Sequence, residues 1–276
     1  MRHVGLKIRM AIVGSILFAF YGIAAVVAMY AFGTGVLPIV LIGSVLLVGI
    51  QYKVGKWAAL RSVGAEDMPE DRYSEIHDRV ESLSRDMGIK KPRLMVAEMG
   101  VPNAFAVGRK GNGTVVVSTE LIALLERDEL EGVLAHELAH IANRDVVMMV
   151  LGQGIASVVA IVAQYVVLLT GDNDIADFFL AIIVGQIVQM LVMVFVLAIS
   201  RYREYVADSD AAQHVGSDPM ARALEKISQG NQGRQDDSKM DEQVGALCIF
   251  GDERGVLATL LSTHPPIEKR IQALRE

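Results

Sequence analysis

The chain has 276 residues, 52% of them hydrophobic, and a formal net charge of -6, with a mean hydropathy of +0.39. That apolar excess excludes an ordinary soluble domain and points to an integral membrane protein. The acidic balance, with no basic cluster away from the apolar runs, argues against nucleic acid as a partner, and a single cysteine, Cys248, excludes an intramolecular disulfide and suits a reducing compartment.

Taken in chain order, residues 10 to about 32 and 36–50 form a first pair of apolar runs, and residues 146–169 and 178–200 form a second. Most approach the roughly 20 residues needed to span hydrocarbon, so the sequence predicts four transmembrane helices in two hairpins. The second run has a core of only about 15 residues. Tyr52 and Trp57 can extend it as interfacial anchors, and a re-entrant or tilted segment stays open. Arg2, Lys7 and Arg9 precede the first run in the manner of a signal peptide, but the run is about twice the usual length of a signal core, so it is expected to be retained. Basic residues flank one side of both hairpins: Arg2, Lys7, Arg9, Lys53, Lys56, Arg61, Arg144, Arg201 and Arg203. The opposite connections carry no charge at Gly33-Thr34-Gly35 and only acidic residues at Asp172 and Asp174. By the positive-inside rule both termini are cytoplasmic in a multi-pass protein of the cell membrane.

Between the hairpins, Tyr73, Ile76, Val80, Leu83 and Met87 recur at helical spacing and stop at Gly88, which predicts an amphipathic helix. Arg93-Leu94-Met95-Val96-Ala97, Ala104-Phe105-Ala106-Val107 and Thr114-Val115-Val116-Val117 then suggest a small antiparallel meander. Its edge could hold a peptide in extended form by main-chain hydrogen bonds, with Asn103 as a positioning residue or simply the turn before a strand. Gly108-Arg109-Lys110-Gly111 lacks the Gly-Lys-Ser/Thr ending of a phosphate loop.

The most informative stretch follows: His136-Glu137-Leu138-Ala139-His140. On a helix, this HExxH pattern sets two imidazoles one turn apart on one face with a carboxylate beside them, the arrangement of a zinc hydrolase. Leu130, Val133, Leu134, Leu138 and Ile141 recur at helical spacing, and Asp128 with Glu131 offers a capping box at the start. Because the third and fourth spans are antiparallel and similar in length, residues shortly after Ser200 should lie beside the two histidines. There Glu204 supplies a candidate third ligand and Asp208, one turn on, a carboxylate to accept the free N–H of a ligand histidine. An acidic solvated face is the alternative for that pair, as an exposed helix glutamate is for Glu137. In the hydrolase reading Glu137 takes the proton from water and passes it to the leaving amine. His264 precedes two prolines and a short helix, so it is either a residue near a helix start or a donor to the oxyanion. Arg270 could orient it or bind substrate, and Arg203 is a substrate candidate or a topology anchor.

Further along, residues 230–243 are polar and read as a mobile loop. In the third span, Gly152, Ala156 and Ala160 form a small-residue stripe suited to close helix packing, and Gln153, Gln164, Gln186 and Gln189 could hydrogen-bond across the bundle.

Four motifs in this order resemble the HtpX-type membrane zinc metalloproteases, relatives of the CAAX prenyl proteases. They are Pro102-Asn103-Ala104-Phe105-Ala106 with Gly108, the HExxH run, Ser200-Arg201-Tyr202-Arg203-Glu204 with Ala207-Asp208, and Thr263-His264-Pro265-Pro266 with Arg270. The resemblance covers nearly the whole chain. It implies that Glu204 is the third zinc ligand, that Glu137 is the base, that His264 and Arg270 lie near the site, and that the substrates are misfolded or membrane-associated proteins met in membrane quality control and the stress response.

The expected architecture is therefore a mostly α integral membrane protein with about four transmembrane helices and a cytoplasmic zincin-like α+β catalytic domain carrying a small antiparallel sheet. Residues 1–52 and 146–200 are the hairpins, and residues 53–145 and 201–276 the two parts of the catalytic domain. One Zn2+ per chain, protein or peptide substrates and a lipid bilayer are the expected partners, and a homo-oligomer stays open. Other readings are a non-catalytic membrane sensor or scaffold stapled by zinc, and a transporter, which the lack of an obvious ionisable relay in the spans disfavours.

Overall fold

The computed structural model describes residues 4–172, 174–232 and 264–276. The expected fold class is borne out: the chain is mostly helical, four helices among the described residues are long and apolar enough to cross a membrane, and a small sheet lies between them in sequence. Most of the predicted polar stretch 230–243, and Cys248, fall outside the described residues.

The four long helices are α1 (Val4–Phe32), α2 (Leu37–Ser62), α6 (Asp145–Thr170) and α7 (Ile175–Val215). The second apolar run looked short because its helix does not stop where the apolar residues do: α2 continues through Tyr52 and Trp57 to 26 residues. The same holds more strongly for α7, whose 41 residues run well past Ser200 without a break. At 1.5 Å per residue that is roughly 60 Å, about twice the hydrocarbon thickness of a bilayer. Arg203, Glu204 and Asp208 are therefore carried on the same helix as the fourth apolar run, with Glu204 and Asp208 one turn apart.

Contacts divide the chain into two compact units, Met1–Val54 with Met148–Ile199, and Gly55–Val147 with Ser200–Glu276. In the first, the small-residue stripe on α6 packs closely. Ala156 and Ala160 are buried, and a Cβ added at Gly152 would lie 2.9 Å from Val196 of α7. Gln164 lies over Gly185, and Gln51 Nε2 donates to Ser157 Oγ at 3.2 Å. Large apolar side chains such as Phe18, Ile39, Val45 and Ile187 remain exposed, as a lipid-facing surface requires.

The second unit is built around a four-stranded sheet: β1 (Glu66–Asp67), β2 (Arg93–Ala97), β3 (Ala104–Arg109) and β4 (Asn112–Ser118). Its order is β1-β2-β4-β3, and β2 pairs with β4 in parallel, so the sheet is mixed rather than a meander. The predicted strands are present, but the valine-rich β4 takes the middle. Val115 and Val117 face a core shared with the helices, while Val116 faces a second cluster with Met95, Phe105 and Val107. A strand apolar on both faces is at home in a central position. The β3–β4 hairpin places Ala104 opposite Val117 and leaves β3 at one edge. β1 escaped prediction because it is two acidic residues long.

Among the described residues the unit also carries the helices α3 (Ser74–Asp86), α4 (Thr119–Leu124), α5 (Arg127–Asn143), α8 (Ser217–Gln232) and α9 (Ile267–Arg275). As expected, α3 buries Ile76, Val80 and Leu83 and ends before Gly88, whose φ of 66° lets the chain turn off the helix. α5 is the central element, burying Leu130, Val133, Leu134, Leu138 and Ile141 against the sheet, α3 and α8. Its capping box is formed by Glu126 and Glu129 rather than Asp128 and Glu131. Glu129 is fully buried and paired with Lys226 of α8, which the sequence pattern could not reveal, and Asp128 instead pairs with Arg222.

Two glycines allow α5 to sit so close. A Cβ at Gly113 of β4 would lie 2.7 Å from Ile141, and one at Gly132 would lie 3.1 Å from the Met220 backbone of α8. Backbone cannot give way as a side chain end can, so Gly132→Val is expected to destabilise the protein by about 1–3 kcal/mol through overpacking. A lowered midpoint of thermal unfolding in detergent, relative to the native chain, is the check.

Candidate metal centre

α5 presents His136 and His140 one turn apart, and its neighbours supply the rest of the site. The two rings meet edge to face at 4.6 Å, with their Nε2 atoms 3.0 Å apart. Glu204 of α7 reaches both: Oε2 lies 3.6 Å from His136 Nε2, and Oε1 lies 3.4 Å from His140 Nε2. These three residues form a group able to hold a metal ion. His136 and Glu204 are buried, and His140 is largely so.

Behind this group stand two carboxylates, each backed by an arginine. Asp208 Oδ1 lies 2.9 Å from His136 Nδ1, and Arg270 donates to both Asp208 oxygens, Nη2 at 2.7 Å and Nε at 2.8 Å. Arg270 Nη1 also lies 3.1 Å from Glu204 Oε2. On the other side, Asp145 Oδ2 lies 2.6 Å from His140 Nδ1, and Asp145 Oδ1 pairs with Arg203. His264 Nδ1 lies 3.0 Å from Glu204 Oε2, so the residue before the two prolines does fold back onto the group. Glu137 is buried, next in sequence to His136.

The donor set suits a divalent cation. Two imidazole nitrogens pointing at each other in a buried site repel unless a proton or a cation lies between them. With the histidines neutral, four buried carboxylates (Glu137, Asp145, Glu204, Asp208) and two buried guanidiniums (Arg203, Arg270) leave two negative charges, which one divalent ion balances.

Other residues singled out in the sequence are placed as follows. Arg270 is completely buried, with its guanidinium against Asp208 and Glu204. Arg203 is likewise buried against Asp145. Asn103 stands at the start of the edge strand β3, buried, its N–H donating to Ser118 Oγ at 2.9 Å and its carbonyl accepting from Ser118 N at 2.9 Å. Glu120 pins the preceding turn by accepting from Gly100 N at 2.7 Å and Met99 N at 3.3 Å. Asp145 was not foreseen. Its signal is faint, an acidic residue in the first turn of an apolar helix, which ordinarily serves that helix's own amides.

Comparisons with known proteins place this geometry. The model of peptidase family M48 matches residues 70–276. The "Protease HtpX homolog" of Halobacterium salinarum is 65% identical over 96% of this chain and 100% of that one. That of Pyrococcus abyssi is 39% identical over 80% of this chain and 77% of its own. "Protease HtpX" of Pectobacterium atrosepticum is 35% identical over 80% of each. The crystal structure of S. mikatae Ste24p shares the fold at a TM-score of 0.61 and 16% identity, covering 99% of this chain. The chain spans 65% of that structure's length. Fold and site define a membrane metallopeptidase. The chain belongs to peptidase family M48 and, within it, to the HtpX proteases. It is a multi-pass membrane protein and a hydrolase of peptides, and the family implies a divalent metal.

The metal-free protein should show a characteristic pH response. Burial pulls both imidazoles down, but Asp208 and Glu204 together hold His136 above the ordinary histidine value, and Asp145 and Glu204 hold His140 well above it. A raised folded-state pKa contributes stability that is complete below the unfolded value of about 6.5 and is lost as pH rises through the folded value. Chelator-treated protein is therefore expected to melt at progressively lower temperature as pH is raised above about 6.5. His140→Gln should show a flatter profile over the same range.

Proposed function

We propose that the chain is a zinc endopeptidase that holds one Zn2+ between His136, His140 and Glu204 and cuts misfolded or membrane-associated proteins on the cytoplasmic side of the cell membrane. The convergence of the two Nε2 atoms and the Glu204 carboxylate carries this reading. In a tetrahedral zinc site with bonds of about 2.0–2.1 Å, neighbouring donors lie roughly 3.3 Å apart. The separations here, 3.0 Å between the two Nε2 atoms, 3.4 Å from His140 Nε2 to Glu204 Oε1 and 3.6 Å from His136 Nε2 to Glu204 Oε2, lie near that value. Zinc held there supplies a Lewis acid that makes water a nucleophile near neutral pH and polarises the scissile carbonyl.

The side chains do the rest. Glu137 accepts the proton of the attacking water as the carbon–oxygen bond forms, and returns it to the amine nitrogen as the carbon–nitrogen bond breaks. Against the pull of burial, Asp208 and Glu204, with a smaller contribution from Glu137, hold the Arg270 guanidinium protonated. Asp208, fixed at both oxygens by Arg270, keeps the His136 Nδ1 proton and so turns the Nε2 lone pair inward. His264, with Nδ1 against Glu204, is the donor assigned to the oxyanion that develops on the carbonyl. A substrate strand added to the edge strand β3, whose start Asn103 and Ser118 fix, would gain main-chain hydrogen bonds with little side-chain selectivity. That suits a protease acting on varied damaged proteins. The basic residues flanking the apolar helices, Lys53, Lys56, Arg61, Arg144 and Arg201, favour the cytoplasmic side for this unit.

Glu137→Gln should keep its zinc and lose casein cleavage by at least about a hundredfold, the smallest factor typical of a general base. Zinc content by elemental analysis and cleavage by the detergent-purified protein test both halves; an active variant would remove Glu137 as the base. Glu204→Ala should lose zinc on dialysis, and retained zinc would place the third ligand elsewhere.

A further inference from the structure

We propose that Asp145 is a positioning residue of the metal centre: with Arg203 behind it, it fixes the tautomer and orientation of His140, the counterpart of what Asp208 and Arg270 do for His136. The proposal rests on the reading of His140 as a metal ligand and goes beyond it. Asp145 opens α6, and an aspartate in the first turn of a helix usually accepts hydrogen bonds from its own first amides. Here both carboxylate oxygens face side chains instead, Oδ2 at 2.6 Å from His140 Nδ1 and Oδ1 on Arg203. Arg203 Nη1 also donates to the Asp145 carbonyl at 2.9 Å, and Nη2 lies 3.4 Å from the Asn143 carbonyl. The guanidinium thus holds both the side chain and the main chain of Asp145, and it is itself buried.

This placement needs a break in the helix. Along an uninterrupted α-helix, residue 145 would stand about 140° around the axis from residue 140 and more than a turn away, out of reach of its ring. Arg144 supplies the break. Its φ of 60° and ψ of 36° are left-handed, and it is the sole non-glycine residue with positive φ among those described. A residue with a side chain is held there only where its surroundings demand it. The demand is met by Arg203 on one side of the turn and by Asn143 on the other, whose Nδ2 donates to Asp210 Oδ2 of α7 at 2.9 Å. With Nδ1–H given to Asp145, the Nε2 lone pair of His140 faces His136 and Glu204. The carboxylate also raises the basicity of that nitrogen as a donor.

The test uses the full-length protein in detergent, stripped of metal, with Zn2+ titrated against a competing chelator. Wild type should bind one zinc tightly and His140→Ala should lose that site; tight binding by His140→Ala would overturn the metal-ligand reading and this proposal with it. Provided that arm holds, Asp145→Ala is expected to bind zinc about tenfold to a hundredfold more weakly, as Asp208→Ala should. Asp145→Asn, whose amide oxygen still accepts from Nδ1–H but carries no charge, should fall between. A purely structural brace would lower the melting temperature of zinc-free Asp145→Ala while its folded fraction bound zinc with wild-type affinity, and that result overturns the proposal. Should Asp145→Ala fail to fold, the near-isosteric Asp145→Asn decides: weaker zinc binding supports the proposal, and wild-type affinity overturns it.

Discussion

Two buried imidazole nitrogens facing each other at 3.0 Å are the constraint on which the rest of this structure turns. Left alone, such a pair would rotate apart or take up a proton and pull water inward. What keeps it in place is a surround of opposite charge. Glu204 lies against both Nε2 atoms, Asp208 and Asp145 lie against the two Nδ1 atoms, and Arg270 and Arg203 neutralise those carboxylates from behind. Removing any one member of a buried set like this leaves its partner uncompensated, which costs more than the interaction itself contributes. The set therefore behaves as a unit, and its residual negative charge matches a divalent ion.

Such a site needs a rigid platform, and α5 is one. It is packed on three sides, by the sheet, by α3 and by α8, and two of those contacts are tight at glycines, Gly113 against the Ile141 side chain and Gly132 against the Met220 backbone. Its start is fixed by the Glu126–Glu129 capping box and Lys226, and its end by the left-handed turn at Arg144. The partners come from far along the chain: Glu204 and Asp208 from the long extension of α7, Arg270 from α9. α9 is anchored by Leu274 in the same core and packs on α8, which accounts for how a nine-residue terminal helix can bring an arginine to full burial.

Much of this was legible in the sequence. Apolar runs gave the four long helices, short apolar runs separated by Gly and Asn positions gave the three longer strands, and the HExxH spacing with the helical-hairpin geometry singled out Glu204 and Asp208 as partners for His136 and His140. What escaped notice shares a physical character. The parallel pairing of β2 with β4 depends on which strand is buried on both faces, a property of the finished core and not of any local pattern. The true capping box at Glu126 and Glu129 was hidden because a fully buried glutamate is expected only where a cation such as Lys226 meets it from a distant helix. Asp145 was missed for the same reason, since its role depends on a backbone reversal at Arg144 and on an arginine 58 residues away. Local signals report what a residue prefers; these residues are placed by what they meet.

The most direct measurement of the central claim is X-ray absorption at the zinc edge of the zinc-loaded, detergent-purified protein, alone and as Glu204→Ala. The account predicts two imidazoles with the remaining shell made of oxygen at about 2.0–2.2 Å, no sulfur, and loss of the bound zinc or of an oxygen scatterer in the variant. A zinc–sulfur distance of about 2.3 Å, or a spectrum unchanged by Glu204→Ala, would contradict it.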